Sequence, residues 1–272
     1  MPELPEVEVV VLELRNQIIG ESFLGVQINQ HNLRIPIPKV LPALLEKQVI
    51  ITVSRQAKYV LIHLANDHVL VLHLGMSGKI LINPSQQFQK HNHVIFYLTN
   101  NNRIVFNDPR RFGLITIYHL NNLAKSFLFK NYGPEPLSRE FNSTYLSFAL
   151  QNKTTPIKIS LMNNKVLVGV GNIYACESLF HCKISPLRKS NSLKTKEINK
   201  LISAIKNTLK KAIAAGGSTL KNYVNTRGEL GYFQHEHKVY GRTDLNCTNC
   251  NTSIKQIIQS GRSTFYCPNC QK

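Results

Sequence analysis

Two pairs of cysteines near the end of the chain, Cys247-Thr248-Asn249-Cys250 and Cys267-Pro268-Asn269-Cys270, stand sixteen residues apart as C-x2-C knuckles. Four thiolates at that spacing form a tetrahedral Zn²⁺ site with no open position, so one structural zinc closing a short β-hairpin is expected. A redox role is the weaker alternative. Between the knuckles, Arg262 offers a guanidinium fork suited to a phosphate or to solvent. A second pattern opens the chain in MPELPEVE. Pro5 fits a first helical turn, and Glu3, Glu6 and Glu8 fit the positive end of a helix dipole. Val7, Val10, Val11, Leu14 and Ile18 follow as a stripe to be buried. Pro2 has no part in that helix start.

The elements that must hold these residues are drawn from 272 residues with 43% hydrophobic content, enough for two domains each with a core. Lysine and arginine number 33 against 15 acidic residues, and the resulting +18 favours a polyanionic partner over a neutral metabolite. A lysine-rich genome or a solvated basic surface is the bland alternative. From His181 to Lys272 there are 16 basic and 4 acidic residues, so +12 of the charge lies in the last third. No run approaches the roughly 18 apolar residues of a membrane span, and no basic leader precedes an apolar segment. A soluble, cytoplasmic chain is expected, with Cys176 and Cys182 as isolated reduced thiols.

Short β-branched segments at Val49–Val53, Tyr59–Leu64, Val69–Leu74, Lys79–Ile82, Val94–Leu98 and Arg103–Phe106 are separated by turn formers, including Asn66-Asp67 and Asn100-Asn101-Asn102. They predict an antiparallel β-sandwich or barrel with the N-terminal helix packed beside it. The Gly and two Pro residues of Lys130–Pro136 mark a linker. Beyond it, Ile198, Leu201, Ile202, Ile205, Leu209, Ala212 and Ile213 follow helical spacing up to the stop at Gly216-Gly217. The predicted fold is α+β and multidomain: an antiparallel β-sandwich with its N-terminal helix over 1–130, a linker over 131–137, a helical domain over 138–240, and a zinc finger over 241–272.

MPELPEVE, Arg55-Gln56-Ala57-Lys58-Tyr59, His73-Leu74-Gly75-Met76-Ser77-Gly78, Asp108-Pro109-Arg110-Arg111-Phe112-Gly113, Gly169-Val170-Gly171-Asn172-Ile173-Tyr174 and the cysteine hairpin occur in that order. Together they resemble bacterial formamidopyrimidine-DNA glycosylases over essentially the whole chain. The resemblance implies a bifunctional glycosylase and AP lyase that removes oxidised purines, 8-oxoguanine and formamidopyrimidines, from duplex DNA. Pro2, exposed by loss of Met1, would be the nucleophilic secondary amine, and strand cleavage by β,δ-elimination would follow from its iminium. It further implies Glu3 as acid and base, Glu6 as orienter of the terminus, Lys58 at the lesion phosphate and assisting the chemistry, and Arg262 as a phosphate ligand. Met76, Arg110 and Phe112, with Arg111 beside them, would fill the space left by the everted nucleotide.

Lys158 and Asn172 match family phosphate ligands, the latter in the turn of a helix-two-turns-helix element, and Glu177 matches a glutamate placed near the proline. Gly216–Lys221 resembles the start of a loop that closes over the everted purine. Cys176 departs from the small hydroxyl residue common at its position. The implied partner is double-stranded DNA with oxidised bases or abasic sites, met by a monomer. Two other readings stand beside it: an endonuclease VIII-like enzyme for oxidised pyrimidines, and a non-catalytic zinc-containing nucleic-acid binder.

Overall fold

The computed structural model describes residues 1–84, 90–219 and 224–272. Within them the chain forms two compact units, one of residues 1–130 with 215–232, the other of residues 131–214 with 233–272.

The first unit begins with α1 (Leu4–Ile18). Its start is fixed twice over, by Pro5 in the first turn and by a capping box in which the Glu6 carboxylate accepts the Glu3 N–H at 2.7 Å. The stripe Val7, Val10, Val11, Leu14 and Ile18 is at most 1% exposed, as its spacing predicts. Two four-stranded antiparallel sheets follow. One runs in the order β1 (Phe23–Ile28), β6 (Asn92–Leu98), β7 (Arg103–Asn107), β5 (Lys79–Ile82). The other runs β2 (Ile50–Gln56), β3 (Tyr59–Leu64), β4 (His68–His73), β8 (Leu114–His119). Short helices α2 (Leu41–Leu45) and α3 (Leu120–Leu123) complete the unit. The turn formers act as expected: Asp67 and Asn101 take left-handed φ of 58° and 64° at the β3–β4 and β6–β7 turns.

Residues 215–232 belong to this unit, although the sequence groups them with the helical region. Carboxylates on α1 hold them: Glu6 Oε1 accepts the Ser218 N–H and Glu13 Oε2 accepts the Thr226 N–H, each at 2.8 Å. The Thr226 carbonyl in turn accepts the Ile82 N–H of β5 at 2.9 Å.

The second unit contains α4 (Ser143–Leu150), α5 (Ile157–Leu161), α6 (Asn172–His181), α7 (Thr195–Ala214) and the hairpin β9 (Lys255–Gln259) to β10 (Arg262–Tyr266). Cys176 and Phe180 of α6 pack with Val239, Ile254 and Phe265, so the departure at Cys176 lies in a core shared with the cysteine hairpin. Cys182 is a free thiol whose pKa burial pushes up to about 12, which leaves it protonated and unreactive. Among the described residues no helix is long and apolar enough to cross a membrane.

Candidate functional site

In the first unit the site is built around the start of α1. Pro2 and Glu3 are buried while Met1 is 51% exposed, so the covering residue is the accessible one. Glu6 is 1% exposed, and its two oxygens tie the Glu3 and Ser218 N–H groups together. One turn further along α1, Glu8 pairs with Arg55 of β2 at 2.6 Å, and Arg55 also donates to the Ala57 carbonyl at 2.9 Å. That clasp fixes the two-residue β2–β3 turn, in which Ala57 has φ 53° and Lys58 is half-buried.

His73 is missing from the site set expected from the sequence, although the motif that carries Met76 contains it. Its Nδ1 accepts the Gly75 N–H at 2.9 Å, so the neutral ring carries its proton on Nε2. Burial first, then the Arg34 and Lys58 cations, lowers its pKa to about 4. A pocket of about 390 Å³ opens beside it, lined by Met1, Arg34, His73, Gly75, Met76 and Phe112. Met76 and Phe112 are 41% and 45% exposed, far above core values, and Arg110 and Arg111 are exposed with them. The Arg110 guanidinium lies 4.8 Å from the centre of the Phe112 ring in a cation–π stack.

In the second unit Asn172 opens α6 and donates to the Ser263 carbonyl at 2.9 Å. Lys158 reaches the same carbonyl at 3.2 Å and the Thr264 hydroxyl at 2.6 Å. Both residues therefore meet the backbone immediately after exposed Arg262. Lys158, expected as a phosphate ligand, is fully buried, and its ammonium holds β10. Glu177, expected near the N-terminal proline, is 1% exposed, and its carboxylate accepts the N–H groups of Lys238, Val239 and Tyr240 at 2.8 to 3.0 Å, anchoring that turn. Lys221 lies outside the described residues.

The four cysteine sulfurs lie within 4.8 Å of one another, with Cys247–Cys270 at 3.9 Å and Cys250–Cys267 at 3.5 Å. A tetrahedron with Zn–S bonds of about 2.3 Å has sulfur–sulfur edges of about 3.8 Å, so the residues fit one zinc ion. The Asn249 and Cys270 N–H groups each donate to the first sulfur of their own pair at 3.4 Å, which is how such knuckles support their thiolates. With four protein ligands the ion is structural.

Family models match as the formamidopyrimidine-DNA glycosylase N-terminal domain over residues 1–115, its H2TH domain over 132–224, and the zinc finger found in FPG and IleRS over 245–272. A formamidopyrimidine-DNA glycosylase of a Wolbachia from Brugia malayi is 48% identical over 272 residues, covering all of both chains. A Lactococcus lactis FPG mutant in complex with Fapy-dG-containing DNA superposes with a TM-score of 0.92 at 32% identity, again over all of both chains. The wild-type Lactococcus lactis protein, in complex with DNA containing an oxidised pyrimidine, gives 0.91 at 32% identity and the same coverage. The chain belongs to the formamidopyrimidine-DNA glycosylase family, the DNA glycosylases of base excision repair.

Proposed function

We propose that this chain excises oxidised purines from duplex DNA and cuts the resulting abasic strand, with Pro2 as nucleophile after loss of Met1. The observation that carries this reading is the start of α1: Pro2 and Glu3 are buried beside an accessible Met1, and the Glu6 carboxylate clamps the Glu3 N–H. An α-amine has a reference pKa of about 7.7–8.0, so a neutral fraction exists near pH 7 without special tuning. Its nitrogen attacks C1′, the damaged base departs, and opening of the sugar ring leaves an iminium on Pro2. Glu3 gives a proton to the ring oxygen and later shuttles protons for the eliminations. Lys58 and the Nε2–H of His73 hold the lesion phosphate from the first unit. Arg262 and Asn172 serve phosphates from the second, and Lys158 keeps β10 in place behind them. Met76, Arg110 and Phe112 fill the vacated stack. The enzyme acts as a monomer on chromosomal DNA in the bacterial cytoplasm.

The test is incubation with duplex carrying 8-oxoguanine opposite cytosine, borohydride reduction, and mapping of the adduct by mass spectrometry. An adduct on Pro2 is expected. Intact binding without an adduct, in protein shown to lack Met1, overturns the purine assignment, and silence on an abasic duplex as well overturns the catalytic one. A preference for thymine glycol over 8-oxoguanine would place the chain with the pyrimidine enzymes.

A further inference from the structure

Met76 stands on the β4–β5 turn, and Arg110 and Phe112 stand on the β7–β8 turn. A wedge made from two turns is only as stiff as the link between them. Asp108, fully buried, supplies that link. Its Oδ1 accepts the Ser77 hydroxyl of the first turn at 2.8 Å, while its Oδ2 accepts the Gly113 N–H of its own turn at 2.7 Å. The Arg110 N–H lies 3.3 Å from both Asp108 Oδ1 and Ser77 Oγ. His93 of β6 donates its Nε2–H to the Asp108 carbonyl at 2.7 Å, fixing the residue from behind.

Two further features show why a fastening is needed. Arg111 has φ 56°, a left-handed conformation that L residues disfavour, so the second turn does not hold its shape by local preference. At Gly75 a Cβ would lie 2.4 Å from the Phe112 carbonyl carbon, so the two turns meet backbone to backbone. A carboxylate suits this junction because it only accepts, whereas an amide would turn a donor toward either the Arg110 N–H or the Gly113 N–H.

We propose that Asp108 and Ser77 are positioning residues that fasten the two turns into one preassembled wedge, and so set the rate of base eversion without touching DNA. This rests on the function proposed above. A wedge held in one shape loses little conformational freedom as the duplex opens, which lowers the barrier to eversion. Chemistry on an abasic site in single-stranded DNA needs no wedge and so does not depend on the fastening.

The experiment compares wild type, Ser77→Ala and Ser77→Thr, each freed of Met1, in two assays. Eversion is followed by stopped-flow fluorescence of 2-aminopurine placed beside 8-oxoguanine in duplex DNA. Proline chemistry is followed by borohydride trapping on a single-stranded abasic oligonucleotide. Ser77→Ala is expected to evert about tenfold more slowly, equivalent to about 1.4 kcal/mol of barrier, with trapping unchanged. Ser77→Thr, which keeps the hydroxyl, is expected to restore the rate. Equal eversion rates in wild type and Ser77→Ala overturn the inference, and so does a parallel loss of trapping, which marks general destabilisation. A wild type that neither everts nor traps defeats the proposed function, and the wedge role falls with it. Asp108→Asn is expected to lose more eversion than Ser77→Ala, but the Ser77 pair decides the matter whether or not Asp108→Asn folds.

Discussion

Met76, Arg110 and Phe112 stand exposed on two turns of the first unit, whereas Lys158 and Glu177 of the second are sealed inside it and bonded to backbone. Both sets are expected in the site from their resemblance to family positions. The difference lies in what surrounds them. The exposed set has open space in front and a buried fastening behind, so its side chains are free to meet a ligand. The buried set fastens β10 and the turn at 238–240, so it shapes the surface that other residues present. A charged residue in a functional motif can be a ligand or a strut, and burial decides which.

The contrast can be broken at several points. The largest effect should come at the start of α1: protein that retains Met1 has no free amine on Pro2, and borohydride trapping is expected to fall below detection while duplex binding persists. Trapping at full yield with Met1 in place would remove Pro2 from the chemistry. In the second unit, Cys267→Ser should cost about a hundredfold in duplex affinity, because the hairpin that carries Arg262 folds around the ion. Trapping on single-stranded abasic DNA should survive that change. Unaltered duplex affinity in zinc-free protein would mean that the hairpin takes no part in binding.

His73 offers a test of the first unit alone. Its folded pKa of about 4 lies below the unfolded 6.5, so the unfolded chain takes up the extra proton between those values. Stability is therefore full above pH 6.5 and falls by roughly 3 kcal/mol as the pH drops to 4. Denaturant titrations across that window should show His73→Gln with a flatter profile than wild type, and parallel profiles would remove His73 as the source. The smallest effect sharpens the strut assignment. Lys158→Met should weaken duplex binding by about tenfold with the salt dependence unchanged, whereas loss of a phosphate contact would reduce the slope by about 1.

Much of this architecture is legible in sequence where one local rule decides it. The α1 stripe, the α7 repeat up to its glycine stop, and strands such as Tyr59–Leu64 and Lys79–Ile82 match their expected spans or lie within a few residues of them. Two strands are hidden. β1 carries Gly25 beside a register irregularity, which interrupts its alternation, and β8 begins directly after Gly113, at the end of a motif that reads first as a loop. The cysteine site can be read because ligand spacing is itself the geometry. The roles of Lys158, Glu177 and Asp108 are not legible, since each depends on partners 31 to 106 residues away or on the neighbours that bury it. His73 falls between these cases: its motif is visible, but its tautomer is set by the Gly75 N–H and its lowered pKa by burial and the Arg34 and Lys58 cations.

The return of residues 215–232 to the first unit bears on how the chain could be divided. The backbone crosses between the units at 130/131, 214/215 and 232/233, so neither unit is a single continuous stretch. A cut at the first crossing leaves the N-terminal piece without the segment that Glu6, Glu13 and Ile82 hold, and leaves the other piece carrying that segment with nothing to receive it. Two such fragments, each incomplete, would be expected to recognise one another, as the halves of a split protein do.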